Sequence, residues 1–456
     1  MAETFIEAAL NGKDGSQEAH FFLADHFVTY KWDSAPDRVV DGVRSVSEWG
    51  IPASFTPPPS PDTSVEPSGL DAAVKGRAGF LNKAYFFKRA QYMRSIFDPR
   101  GPDTTVPLSL SAWHLLGAAF TSGIDAAFNG RFSRDGKGYF FRGNKYNRYD
   151  WVADAPDKVD PSGVPYPRSV SNMVGMPPRF ASGVSAAVDG DGPFGNVGYL
   201  FREDQYLRFN WKPPGGGEPR VDGASAPIHR NWLGLVELLL AGKAKAKALV
   251  WIQAARDRLN DFVAGALTGN ALTLLNAALQ IHFHIDPALP QPAKLPFVNR
   301  IRATYDSVVT TLNGSATRFR FRTAAEANSD LTGGSGFPAY TFFGKTMNFT
   351  EHFAERRRLQ RAAIVLHEGV HVTDSQSANR SPSGALLIDI PEWYVTDPEA
   401  TRLGLPTQAN RSDLAVRYNN MTTSDAVHNP SAYAAFAQHV AIGSDTRFGD
   451  GKSGPE

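Results

Sequence analysis

The chain has 456 residues, 42% of them hydrophobic and 20% charged, with 47 Lys and Arg against 46 Asp and Glu and no cysteine. That balance excludes a disordered chain and a generally basic nucleic-acid binder. The missing thiols exclude disulfides, thiolate metal sites and a cysteine nucleophile. No apolar run is long enough to span a bilayer, and Met1–Glu7 lacks the basic and apolar regions of a secretory leader. The expectation is a soluble, multidomain protein, cytoplasmic or exported by a non-classical route.

Four related segments come first in chain order. Ile6-Glu7-Ala8-Ala9, Leu70-Asp71-Ala72-Ala73, Ile124-Asp125-Ala126-Ala127 and Val184-Ser185-Ala186-Ala187 share one pattern. Each precedes an aromatic strand: His20-Phe21-Phe22, Tyr85-Phe86-Phe87, Tyr139-Phe140-Phe141 and Tyr199-Leu200-Phe201. A second aromatic strand follows at Phe27–Trp32, Tyr92–Phe97, Tyr146–Trp151 and Tyr206–Trp211, and Trp49, Trp113, Met173 and Trp232 close the units. Aromatic residues fill half-buried pleated strands, and the small Ala-Ala pairs suit an inner strand where sheets converge. Radial repetition of small antiparallel sheets predicts an all-β propeller of four blades. Asp189-Gly190-Asp191-Gly192 reads as an acidic blade turn, and Gly215-Gly216-Gly217 as a hairpin loop of the fourth blade.

Ile124-Asp125-Ala126-Ala127-Phe128, Gly138-Tyr139-Phe140-Phe141-Arg142-Gly143 and Tyr146-Asn147-Arg148-Tyr149-Asp150 resemble hemopexin repeats, and the resemblance covers residues 1–235. It implies a binding or docking module with an axial channel, hence a further cation there and a small-molecule or ion ligand of the propeller. The family's cysteine pair joining first and last blades is missing, so closure is expected to rest on packing.

Residues 236–456 change character toward a mainly α (α+β) domain. Helical spacing is read over Val236–Leu240 and Lys243–Ala264, over Ala271–Ile281 and over Val298–Leu312, with Pro290-Gln291-Pro292 as a break. Arg318–Arg322 and Ala339–Phe343 read as strands, and the tail from about residue 445 as disordered. The motif that carries chemistry is His367-Glu368-Gly369-Val370-His371. Apolar Leu359, Ala362, Ala363, Leu366 and Val370 recur at helical offsets, so the two histidines share one face. Two neutral imidazoles at that spacing suit Zn2+, and Glu368 is placed to act on a water as general base.

Ala339–Phe343, then Met347-Asn348-Phe349, Phe353 and the HEGVH helix, together with Asn429-Pro430-Ser431-Ala432-Tyr433, resemble the aspzincin metallopeptidases (the deuterolysin and lysine-specific metalloendopeptidase group) over residues 245–442. The resemblance implies a third acidic ligand. The family's Gly-Thr-x-Asp-x-x-Tyr-Gly string is absent, and Asp389 within Ile388–Tyr394 is the nearest counterpart, with Glu392 as its rival. Tyr394 would then face the oxyanion or, on the plainer reading, pack beside Trp393. Asp374 is expected to support a histidine, and His428 is a minor candidate ligand. His282 and His284 read as surface or packing residues, and Arg356-Arg357-Arg358 as a solvated face.

The expected function is a zinc metallopeptidase acting on polypeptides, with no nucleic-acid partner and no membrane span. The alternative is a hemopexin-like binding protein or toxin-like effector whose zincin-like domain is structural or inactive.

Overall fold

The computed structural model describes residues 5–32, 38–56, 69–213, 218–314, 317–331, 338–341, 346–374 and 422–443. They divide into two compact units, one drawn from Met1–Pro58 and Pro67–Lys243, the other from Ala244–Glu456. Among the described residues, no helix is long and apolar enough to cross a membrane.

The first unit holds four antiparallel sheets, each a meander that starts from its Ala-Ala strand. Those strands are Ala8–Asn11, Ala72–Lys75, Ala126–Asn129 and Ala186–Asp189. The pairing register is the same in all four: Ala8 faces Phe22, Ala72 faces Phe87, Ala126 faces Phe141 and Ala186 faces Phe201. Each small residue therefore sits opposite an aromatic one, which leaves room for the neighbouring sheet on its other side. The first strands contact one another in the order first, second, third, fourth and again first. The acid ahead of each Ala-Ala pair has a local task. Glu7 Oε2 accepts from the Ala24 N–H at 2.7 Å, and Asp125 Oδ2 from the Gly143 N–H at 2.6 Å, fixing the hairpin that follows the aromatic strand. Ser185 replaces that acid in the fourth sheet and donates instead to the Phe201 carbonyl, 3.0 Å away.

The residue that closes each sheet, a tryptophan in three and Met173 in the third, packs on the next sheet. Trp49 lies 5.4 Å from Phe86 and 5.3 Å from Phe97, and Trp113 lies 5.2 Å from Phe140. Met173 shares a core with Leu200, Phe209 and Trp211 of the fourth sheet. Trp232, which closes the fourth, packs on the first, 5.4 Å from Phe21 and 5.0 Å from Tyr30. A buried indole in an aromatic nest contributes area burial and about 0.5–1.5 kcal/mol per ring pair beyond it.

A second set of links joins the ends of the first strands. The Asn11 side chain bonds the Asp189 backbone. Lys75 Nζ donates to the Gly12 carbonyl at 3.3 Å, and Asn129 Nδ2 to the Lys75 carbonyl at 2.8 Å. Asp189 Oδ2 accepts from the Asn129 N–H at 3.2 Å. The fourth residue of each strand thus bonds the sheet before it, the first sheet reaching the fourth.

The second unit is mainly helical. The two helical stretches read around Ala241-Gly242 are one helix, Leu235–Val263. The stretch of this helix up to Lys243 belongs to the first unit, and there Gly242 runs through it: a Cβ on Gly242 would fall 2.2 Å from His26 Cδ2, so the glycine lets the helix pass close to that ring. The next helices are Gly269–Phe283 and Gln291–Asn313. The prolines read as a break instead open the latter, since Pro292 lies in a first turn whose N–H groups have no helical partner. A three-stranded sheet places Thr346–Phe349 between Arg318–Phe321, its parallel neighbour, and the antiparallel edge strand Ala339–Thr341. The short helix Ala324–Leu331, which sequence spacing did not reveal, precedes that edge strand.

The HEGVH segment lies on the helix Arg358–Thr373, packed against Gln291–Asn313, against Pro430–Ile442 and against the edge strand. Every residue from Leu359 to Val370 is buried, so this helix is a core element rather than an amphipathic one, because partners cover both of its faces. The Gln291–Asn313 helix comes so near that a Cβ on Gly369 would stand 2.9 Å from Val308 Cγ1.

Candidate metal centre

His367 and His371 stand one turn apart and turn the same nitrogen toward one point: their Nε2 atoms are 3.1 Å apart. Zinc–nitrogen bonds of about 2.0–2.1 Å at a tetrahedral angle give a nitrogen–nitrogen edge of about 3.3 Å, so the pair fits a tetrahedral metal. His367 is 3% exposed. Burial first, and the adjacent His371 second, hold its pKa well below the ordinary imidazole value, so it stays neutral, the form that coordinates.

Glu368 is also buried, and its Oε2 accepts a 2.7 Å hydrogen bond from Thr341 Oγ1 at the end of the edge strand. Ser431 Oγ lies 3.3 Å from His367 Nδ1, the nitrogen on the far side of the ring. Ser431 is held in turn: its N–H donates to Asn429 Oδ1 at 2.8 Å, opening the Pro430–Ile442 helix. Tyr433, fully buried, donates to the Val427 carbonyl at 2.8 Å and fixes the turn before that helix. Thr341 and Ser431 were not singled out in the sequence. Their only signals are a threonine ending the edge strand and a serine just inside an Asn-Pro helix start.

Asp374 ends the HEGVH helix and does support a histidine, but a different one from the pair. Its Oδ2 accepts from His428 Nδ1 at 2.8 Å and from Arg300 Nη2 at 3.0 Å. His282 is a packing residue, buried with Nε2 3.0 Å from His439 Nδ1. Arg356, Arg357 and Arg358 are half-buried rather than a solvated face, and the Arg357 N–H donates to Gln360 Oε1 at the start of the HEGVH helix. Asp389, Glu392 and Tyr394 lie outside the described residues, as does the tail from residue 445. Among the described residues, no group of three or more His, Asp or Glu is gathered for a metal.

No family model matches the chain, and no curated protein does. Solved structures that it resembles include a hemopexin fold protein from cow pea, at 22% identity over 50% of this chain and 96% of that one, TM-score 0.39. A seed albumin from Lathyrus sativus matches at 21% identity over 52% of this chain and 99% of that one, TM-score 0.41. A plant lectin with two metal binding sites from Cicer arietinum matches at 22% identity over 50% and 95%, TM-score 0.39. Several antiparallel sheets followed by a mainly helical region are the architecture of the described residues.

Proposed function

We propose that the chain is a zinc-dependent peptide-bond hydrolase whose first half is a four-bladed hemopexin-like propeller serving as a docking module. The observation that carries the hydrolase reading is the convergence of His367 and His371 Nε2 at 3.1 Å, with Glu368 between them in sequence and held by Thr341. The propeller reading is supported by Trp232 packing on Phe21 and by Asn11 bonding Asp189, which link the fourth sheet to the first. An axial cation and a small-molecule or ion ligand of the propeller belong to the same proposal.

His367 and His371 would hold the metal through Nε2, with Asp389 as third ligand and Glu392 as its rival. Bound there, the metal would supply a Lewis acid and bring a water's pKa toward neutrality. Glu368 takes the proton of the attacking water on its carboxylate and returns it to the departing amine. Thr341 holds one oxygen of that carboxylate and so aims the other. Tyr394 would donate a hydrogen bond to the oxyanion.

The test is elemental analysis of the purified chain together with peptide hydrolysis. About one zinc per chain is expected, lost in either Asp389→Ala or Glu392→Ala but not in both. Glu368→Gln is expected to keep the zinc and lose hydrolysis by about a hundredfold or more. A wild-type chain that takes up no zinc when refolded with it overturns the hydrolase reading. Retained hydrolysis in Glu368→Gln overturns the role of Glu368.

A further inference from the structure

Behind the His367 imidazole of the centre stands a serine hydroxyl. An imidazole that offers Nε2 to a metal must carry its proton on Nδ1, and whatever accepts that proton fixes both the tautomer and the ring angle. For His367 the group at Nδ1 is Ser431 Oγ, 3.3 Å away. Both side chains are almost wholly enclosed, at 3% and 1% exposure, so bulk water does not compete for this contact. The backbone that carries the hydroxyl is fixed, because the Ser431 N–H is tied to Asn429 and the turn before it to Tyr433.

We infer that Ser431 is the positioning residue of the metal centre: its hydroxyl accepts the Nδ1 proton of His367 and keeps the Nε2 lone pair of that ring aimed at the point shared with His371. This inference rests on the hydrolase reading for its consequence, metal affinity, but not for its premise, the tautomer. With the proton on Nδ1, His367 Nε2 is an acceptor, and in the metal-free chain His371 Nε2–H donates to it across 3.1 Å. The same arrangement becomes a pair of ligands when the His371 proton moves to its own Nδ1. A serine also sets the strength of the support. A neutral hydroxyl raises the basicity of a histidine less than a carboxylate would, so the site is built to hold its metal less tightly than one backed by an acid.

Two measurements on the full chain test this. In the metal-free protein, imidazole nitrogen-15 shifts should show the His367 proton on Nδ1 in wild type and in Ser431→Thr, and a mixture of tautomers in Ser431→Ala. Titration with Co2+, read by its visible d–d bands, should show affinity reduced about ten- to a hundredfold in Ser431→Ala and nearly restored in Ser431→Thr. Helix content is measured beside both. A wild-type His367 proton on Nε2, or equal Co2+ affinity in wild type and Ser431→Ala, overturns the inference. If wild type binds no Co2+, the hydrolase reading fails and the nitrogen-15 shifts alone decide: an Nδ1 proton in wild type that becomes a mixture in Ser431→Ala upholds the Ser431–His367 contact, and any other result overturns it. Should Ser431→Ala not fold, the wild-type and Ser431→Thr shifts still decide, because only the Nδ1 form is compatible with the proposed geometry.

Discussion

Asn11 and Asp189 are joined twice: the Asn11 amide donates to the Asp189 carbonyl at 2.7 Å, and the Asp189 N–H donates to Asn11 Oδ1 at 3.2 Å. A side chain of the first sheet thereby satisfies both backbone groups of a residue on the fourth. Removing it leaves two buried groups without partners, each costing about 1–3 kcal/mol. Asn11→Ala should therefore destabilise the first unit by about 2–6 kcal/mol. Trp232→Ala should cost about 3–5 kcal/mol through the cavity left against Phe21 and Tyr30. Urea unfolding followed by tryptophan fluorescence reads the first, and circular dichroism the second. An unchanged midpoint in Asn11→Ala would show that the double bond contributes nothing.

The Asp189 carboxyl titrates out of its ordinary range. Burial pushes its pKa up to about 6, against the opposing pull of Arg131, Arg77 and the Asn129 N–H. In the unfolded chain it titrates near 3.8, so between those values the folded chain holds a proton that the unfolded chain has released. The stabilising contribution is then full below about pH 4 and lost as the pH rises through about 6, amounting to about 3 kcal/mol at most. Asp189→Asn should remove that slope. Unfolding free energies of both proteins between about pH 4 and 7 test it, and parallel curves would refute it.

Thr341 holds the carboxylate of Glu368 from a different element of the second unit. Thr341→Val keeps the shape of the side chain and deletes the donor. Peptide hydrolysis should fall about tenfold, while zinc content stays at the wild-type level, because the residue touches the base and not the histidines. Equal loss of zinc and activity would mean that the strand end carries the whole site.

Gly369 sits between Glu368 and Val370 in a helix where alanine would ordinarily gain up to about 1 kcal/mol. Here the added methyl meets Val308 Cγ1 at 2.9 Å, a stiff β-branched side chain on a packed helix. Gly369→Ala should therefore be net destabilising by about 1–2 kcal/mol, measured as a lower melting temperature of the second unit. A raised melting temperature would show that the two helices separate easily.

Much of the first unit was readable because its signal is repeated. The Ala-Ala pairs and the aromatic strands fall in the same register in all four sheets, so any one copy supports the others. The residues that link the sheets were not readable, because Asn11, Lys75, Asn129 and Asp189 do one job with three different side chains. In the second unit, the HEGVH spacing revealed the facing histidines because helix geometry alone puts residues four apart side by side. Thr341 and Ser431 come from distant segments, and only tertiary packing brings them to Glu368 and His367. Pro292 shows a different difficulty: the same residue that ends one element begins another, and local pattern does not separate the two.

Trp232 fills the nest made by Phe21 and Tyr30, yet it is the last aromatic of its unit to be synthesised. During translation the first sheet must therefore wait, with those rings uncovered, until the fourth has left the ribosome. Apolar rings left uncovered over that interval are open to mispairing, and the packing of Trp232 on the first sheet comes last in chain order.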